Sequence, residues 1–235
     1  MGDKYSGQVA LVAGGTGGLG KAVSLAFLEE GATVVATYRN QSELDALRAA
    51  AGAGVSRLEG LSVDVTNDAA VQQMVAAIVA KHGKIDVLAN AVGGYDAGAK
   101  LWDTEPKVFE CMFTLNFYSG YVLSRWVAPA MLKSGRGAIV NVASTAAIDH
   151  AESAAAYAAS KSAAVAMIDS LSADLKGTNV RANSILPSII DTEANRKAMP
   201  KADFAKWPKP EEIARVILFL CSDDAKLVHG AAIRV

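Results

Sequence analysis

Ser144, Tyr157 and Lys161 are the residues of this chain whose types and spacing could do chemistry. Tyr157 and Lys161 stand four apart in an alanine-rich stretch that predicts a helix, which puts phenol and ammonium on one face, near enough to touch. A free phenol titrates at about pH 10, too high for ready proton exchange near neutrality. A neighbouring cation favours the phenolate, lowers that value and makes the tyrosine a usable acid/base. Ser144 follows an apolar, strand-like run at 138–143, so its hydroxyl is expected at a strand's carboxyl end, where it could polarise a substrate oxygen. Alone, a tyrosine four residues from a lysine reads as a surface pair on an amphipathic helix. It becomes chemical beside a redox cofactor site.

The N-terminal segment supplies one. An apolar run at 9–13 is followed at once by Gly14-Gly-Thr-Gly-Gly-Leu-Gly20, then by a helical pattern at 21–30, Gly31, and a second apolar run at 33–37. Strand, glycine turn, helix and strand form the context that a dinucleotide fingerprint requires. The glycines let the backbone approach a pyrophosphate, and the helix N-terminus supplies N–H donors and a partial positive charge. Two registers fit: Gly15, Gly17 and Gly20, or Gly14, Gly18 and Gly20. An acid at the end of the second strand would bind a ribose 2′-hydroxyl, whereas a base accommodates a 2′-phosphate. Tyr38-Arg39-Asn40 contains no acid, so NADP(H) is expected over NAD(H). Asp64 is expected to end the third strand and so does not alter that choice.

The elements that must position these residues alternate along the chain. Further strand-like runs fall at 61–64, 85–89, 138–143, 180–185 and 231–235, and helical stretches near 42–51, 67–82, 105–132, 153–175 and 210–221. Such alternation implies a doubly wound parallel sheet of Rossmann type, with helices on both faces and ligands at the strands' carboxyl ends. Asn90, Ser144 and the glycine turn all fall at such ends. With no repeat or linker to divide them, residues 1–235 read as one dinucleotide-binding and catalytic domain.

With the glycine turn and the Ser-Tyr-Lys set in place, the chain resembles the short-chain dehydrogenase/reductase family over essentially its whole length. Gly14, Gly18 and Gly20 take that family's spacing, with Ala13 where a Thr usually precedes the first Gly. Asn90-Ala-Val-Gly93 resembles the family's Asn-Asn-Ala-Gly segment, and Pro187-Ser188 stands for its Pro-Gly. The resemblance implies that Asn116, twenty-eight residues before Ser144, is the fourth catalytic residue, holding water in a proton relay. It implies cofactor contacts from Thr16, Gly17, Leu19, Asn90, Ile189, Tyr157 and Lys161, adenine contacts from Asp64-Val65, and Thr192 near the nicotinamide carboxamide. Lys161 would also bind the nicotinamide ribose. It further implies a homodimer or homotetramer through the helix at 153–175. One stretch, residues 186–207, is similar to dihydropteridine reductases, which generally lack the serine and prefer NADH.

Composition narrows the partners. Net charge is −1, from 23 basic and 24 acidic residues, and no basic block points to nucleic acid or a membrane surface. Cys111 and Cys221 lack metal-ligand spacing and read as buried thiols in a reducing cytoplasm. No apolar stretch of about 18 residues is present, so no transmembrane helix is expected. Met1-Gly2 with Ser6 matches a myristoylation pattern, read here as chance because the first strand follows so soon. The expected reaction is hydride transfer between NADP(H) and a small carbonyl/alcohol substrate, walled by some of Tyr95, Trp102, Ile148, His150, Met199 and Trp207. The alternatives are a pteridine reductase and a non-catalytic NADP(H)-binding regulator.

Overall fold

The computed structural model describes residues 3–235, so the Met1-Gly2 pattern lies outside the described residues. Seven strands form one parallel sheet: β1 (Val9–Ala13), β2 (Thr33–Tyr38), β3 (Leu58–Ser62), β4 (Val87–Asn90), β5 (Gly137–Val142), β6 (Val180–Leu186) and β7 (Ala232–Arg234). Their order is β3-β2-β1-β4-β5-β6-β7, so the winding reverses between β1 and β4. A crevice opens where successive connections leave in opposite directions, and this is where ligands bind such sheets.

Both faces of the sheet are covered, which explains strands that are apolar throughout. In β1, Ala10 and Val12 face one core with Phe27 of α1 (Gly18–Glu29) and Ile217 of α8 (Pro210–Cys221). The alternate residues Val9, Leu11 and Ala13 face another, shared with α3 (Asp68–His82), α5 (Ser119–Ser134) and α6 (Ala155–Asp174). The helices begin and end where local chemistry directs. The Asn67 side chain accepts from the Ala70 N–H at 3.0 Å to open α3, and Gly83, at φ 79°, closes it. Pro210 occupies the first turn of α8, and the Glu212 carboxylate accepts from the Lys209 N–H at 2.9 Å.

Four features differ from the sequence reading. β3 ends at Ser62, so Asp64 stands in a turn rather than in the strand; its carboxylate accepts from the N–H and hydroxyl of Thr66 at 2.9 and 2.7 Å, and that local bonding competes with the sheet. The helix expected over 105–132 is α4 (Pro106–Phe113), a π-helical turn at Thr114–Tyr118, and α5. A short helix, α7 (Glu193–Ala198), falls in the segment after β6, with Thr192 at its N-cap. Cys111 is exposed, on the outer side of α4, while the adjacent Met112 turns inward; only Cys221 is a buried thiol. The remaining helix, α2 (Gln41–Ala50), matches its expected position within a residue.

Candidate active site

The glycine turn makes the floor of a cleft at the carboxyl end of β1. Gly14 has φ +69°, a left-handed conformation that favours glycine. A Cβ on Gly20 would run into the Gly14 carbonyl oxygen, and one on Gly18 would come within 2.9 Å of the Thr192 methyl. Gly14, Gly18 and Gly20 are thus the glycines on which the turn depends, although Gly15 too is hemmed in, by Ala36 and Ser24. Gly17 is the N-cap of α1 and offers no side chain, which leaves the first N–H groups of that helix for an anion.

From this floor a cleft of about 410 Å³ runs between the ends of β1, β2 and β4. Gly14, Thr16, Gly17, Arg39, Asp64 and Val65 line it, as do Tyr38, Glu43, Val63 and the Ala91-Val92-Gly93 turn, which the sequence reading did not name for this role. Arg39 and Asp64 are close enough for the guanidinium to lower the carboxyl pKa, behind the larger effect of the Thr66 hydrogen bonds. Phosphates at the glycine turn, a ribose near Arg39 and a ring beside Asp64-Val65 would suit a dinucleotide. Asn90 does not line the cleft. It is buried, donating to Asn141 Oδ1 at 2.7 Å and accepting from the Val92 N–H at 3.2 Å, so it shapes the 91–93 turn from below.

The catalytic candidates converge at the end of β5 and on α6. Ser144 is 9% exposed, just past β5, and its hydroxyl accepts from the Ala146 N–H at 3.2 Å. Burial raises the Tyr157 pKa above its ordinary value, hydrogen bonding with Ser144 pulls it back, and the Tyr95 phenol adds to the rise. Tyr95 packs edge-on against Tyr157 with ring centroids 4.8 Å apart. Lys161 departs from expectation. Its ammonium donates to the Val142 carbonyl at 3.0 Å, and it is not among the groups that set the Tyr157 pKa. The four-residue spacing puts both on α6, but the lysine stem reaches across to β5 and its head lies beside Gly93. Burial pushes that ammonium down to about 8.

Asn116 sits in the π-helical turn and is buried. Its amide accepts from the Gly94 N–H at 2.9 Å and donates to the Gly94 carbonyl at 3.1 Å and to Ser160 Oγ at 3.0 Å. It therefore clamps the loop after β4 to α6. The one-residue surplus of a π turn is what rotates this amide inward. The Pro187 carbonyl accepts from the Thr145 N–H at 3.0 Å, holding the end of β6 against the Ser144 loop. Ile189, two residues on, remains 44% exposed, and Thr192 meets the glycine turn through its methyl group. Leu19 is buried in the core rather than in the cleft. Of the candidate walls, Tyr95, Trp102 and Ile148 are exposed, whereas Trp207 packs on Phe204 at 5.0 Å between centroids.

This fold, with a glycine-floored cleft and the buried Lys161 ammonium beside its Gly93 wall, has many counterparts among known proteins. A family model described as enoyl-(acyl carrier protein) reductase matches residues 13–235. The chain is 32% identical over 240 residues to a 3-oxoacyl-(acyl-carrier-protein) reductase of Thermotoga maritima, covering 99% of this chain and 97% of the relative. It is 34% identical over 238 residues to an NAD-dependent glycerol dehydrogenase of Listeria innocua, covering 95% and 90%. A short-chain dehydrogenase/reductase structure from Mycobacterium ulcerans superposes with a TM-score of 0.93 at 25% identity, over 99% of this chain and 89% of that one. Sequence, fold and site agree: the chain belongs to the short-chain dehydrogenase/reductase family and is an oxidoreductase of that family.

Proposed function

We propose that this protein transfers a hydride reversibly between NADP(H) and a small carbonyl/alcohol substrate, with Tyr157 as the acid/base. The observation that carries the reading is Tyr157 on α6, hydrogen-bonding with Ser144 at the end of β5, while the Lys161 ammonium of the same helix lies beside Gly93 in the cleft wall. Bound nicotinamide supplies the hydride donor or acceptor, and the protein supplies orientation and charge stabilisation. In reduction, Tyr157 gives its phenolic proton to the substrate oxygen, and in oxidation it takes one back. Burial, by holding its pKa high, keeps the phenol protonated and ready to donate. Ser144 donates a hydrogen bond to the same oxygen as negative charge develops. Lys161 has three donors, of which the Val142 carbonyl takes one, and the others are free for ribose hydroxyls at Gly93. Asn116 holds the loop that carries Gly93 and Gly94, and a water relay would pass beside it.

The cofactor preference rests on Arg39, a cation that lines the cleft near Asp64. The protein is proposed to act as a single domain and as a homodimer or homotetramer, in the cytoplasm, with no nucleic-acid or membrane partner. No helix among the described residues is long and apolar enough to cross a membrane. The Ser144–Tyr157 pairing favours carbonyl chemistry over pteridine reduction, which the related reductases accomplish without the serine. The test is a carbonyl and alcohol panel with both cofactors, run on the wild type and Tyr157→Phe. Wild-type turnover that falls about 10²–10⁴-fold in the variant, with NADPH affinity nearly intact, is the expected result. Cofactor binding without turnover of any substrate would support the regulator instead, and turnover of quinonoid dihydropterin alone would support the pteridine reductase.

A further inference from the structure

Glu43 lies in the first turn of α2, four residues past Arg39, and its carboxylate accepts a hydrogen bond from the Thr16 hydroxyl at 2.8 Å. Thr16 belongs to the glycine turn and is buried, whereas Glu43 is otherwise exposed. The bond therefore holds a surface carboxylate in the wall of the cleft that Arg39 also lines. Capping does not account for this, because the Asn40 side chain already opens α2 by accepting from the Ser42 N–H at 3.0 Å. Asp64, the other acid lining the cleft, is tied by its Oδ1 to the N–H and hydroxyl of Thr66 in its own loop, whereas Glu43 is tied to the glycine turn itself. In Glu43 only Oε2 is engaged among the described residues, which leaves Oε1 free to accept in the cleft that Glu43 and Arg39 both line.

A ribose 2′-hydroxyl is a hydrogen-bond donor and suits such an oxygen. A 2′-phosphate carries only acceptors and close to two negative charges, and is repelled by it. We infer that Glu43 is a specificity residue of the cofactor site, accepting from the 2′-hydroxyl of NAD(H) and opposing the 2′-phosphate that Arg39 attracts. The two side chains pull cofactor choice in opposite directions, so the protein uses both cofactors and its NADP(H) preference is smaller than Arg39 alone would give. This inference deepens the cofactor assignment made from Arg39 and rests on it.

The experiment is isothermal titration of wild type, Glu43→Gln and Arg39→Ala with adenosine 2′,5′-bisphosphate and with 5′-AMP. These fragments occupy only the adenosine end and need no turnover. Glutamine keeps the length of the side chain and an acceptor for Thr16 while removing the charge. The ratio of the two dissociation constants in Glu43→Gln is expected to move about tenfold toward the 2′-phosphate ligand, equal to about 1.4 kcal/mol. The effect should shrink in 0.5 M salt, where exposed charges are screened. An unchanged ratio in a Glu43→Gln protein of wild-type thermal stability overturns the inference. If that ratio stays fixed while Arg39→Ala moves it toward 5′-AMP, the Arg39 assignment survives and Glu43 is excluded. If only Glu43→Gln moves it, the carboxylate is confirmed as the determinant and the Arg39 assignment fails.

Discussion

Lys161 offers the sharpest test of whether this site is built at the expense of stability. Its side chain is 5% exposed and its one polar contact among the described residues is the Val142 carbonyl. Burial lowers its pKa from 10.5 to about 8. At about 1.4 kcal/mol per pH unit, that gap makes the charged form cost the folded protein about 3 kcal/mol relative to the unfolded chain. At pH 7 both states carry the proton and the penalty is present in full. Above about pH 8 the folded state sheds its proton while the unfolded chain keeps it to about 10.5, so the unfolded state binds more protons and stability rises with pH across that window. Lys161→Met abolishes the titration and leaves the Val142 carbonyl without its donor, a loss of about 1–2 kcal/mol. In the absence of cofactor the variant should therefore be more stable than wild type at pH 7 by roughly 1–2 kcal/mol, or a few degrees in Tm. The advantage should vanish and reverse as pH approaches 10. Urea unfolding of both proteins at pH 7 and pH 9.5, with cofactor binding measured alongside, checks this. A difference between the two that does not change with pH would show that the folded lysine titrates normally, and the reasoning from burial would fall.

The alternation of strands and helices and the glycine turn were legible because each leaves a local trace. Apolar runs of strand length alternate with helical periods, and Gly14 and Gly20 meet backbone constraints that other residues would violate. The partners of Asn116 and Lys161 leave no such trace. A π turn inserts one residue without altering the apolar pattern of 105–132, so the sequence could not show that Asn116 points at Gly94 and Ser160. Spacing on one helix likewise cannot tell whether a lysine meets the tyrosine a turn away or a carbonyl on the neighbouring strand. Glu43 was missed for a related reason. Attention to the strand end stops at Asn40, while the carboxylate reaches the cleft from the next helix through Thr16, a contact between residues twenty-seven apart. What local periodicity encodes could be read; what depends on which side chain reaches across a gap could not.

Two further outcomes bear on the turn and on the serine. Gly20→Ala should weaken NADPH binding at least about tenfold and destabilise the fold by about 1–3 kcal/mol, because its new methyl meets the Gly14 carbonyl rather than a side chain that could yield. A normal dissociation constant would show that the turn does not depend on that approach. Ser144→Ala should lower kcat by about 10²–10³ on a carbonyl substrate, since it removes a donor that matters most as charge builds on the substrate oxygen. The same change removes the hydrogen bond that holds the Tyr157 pKa down against burial in the free enzyme, so the basic limb of the kcat/KM profile should move to higher pH. Its structural cost is the loss of the Ala146 N–H acceptor and of the Tyr157 hydrogen bond, neither of which touches the glycine turn, so cofactor affinity and thermal stability should change little. A large fall in kcat with an unmoved pH profile would mean that the serine acts on the substrate alone. A near-normal kcat would remove it from the chemistry altogether.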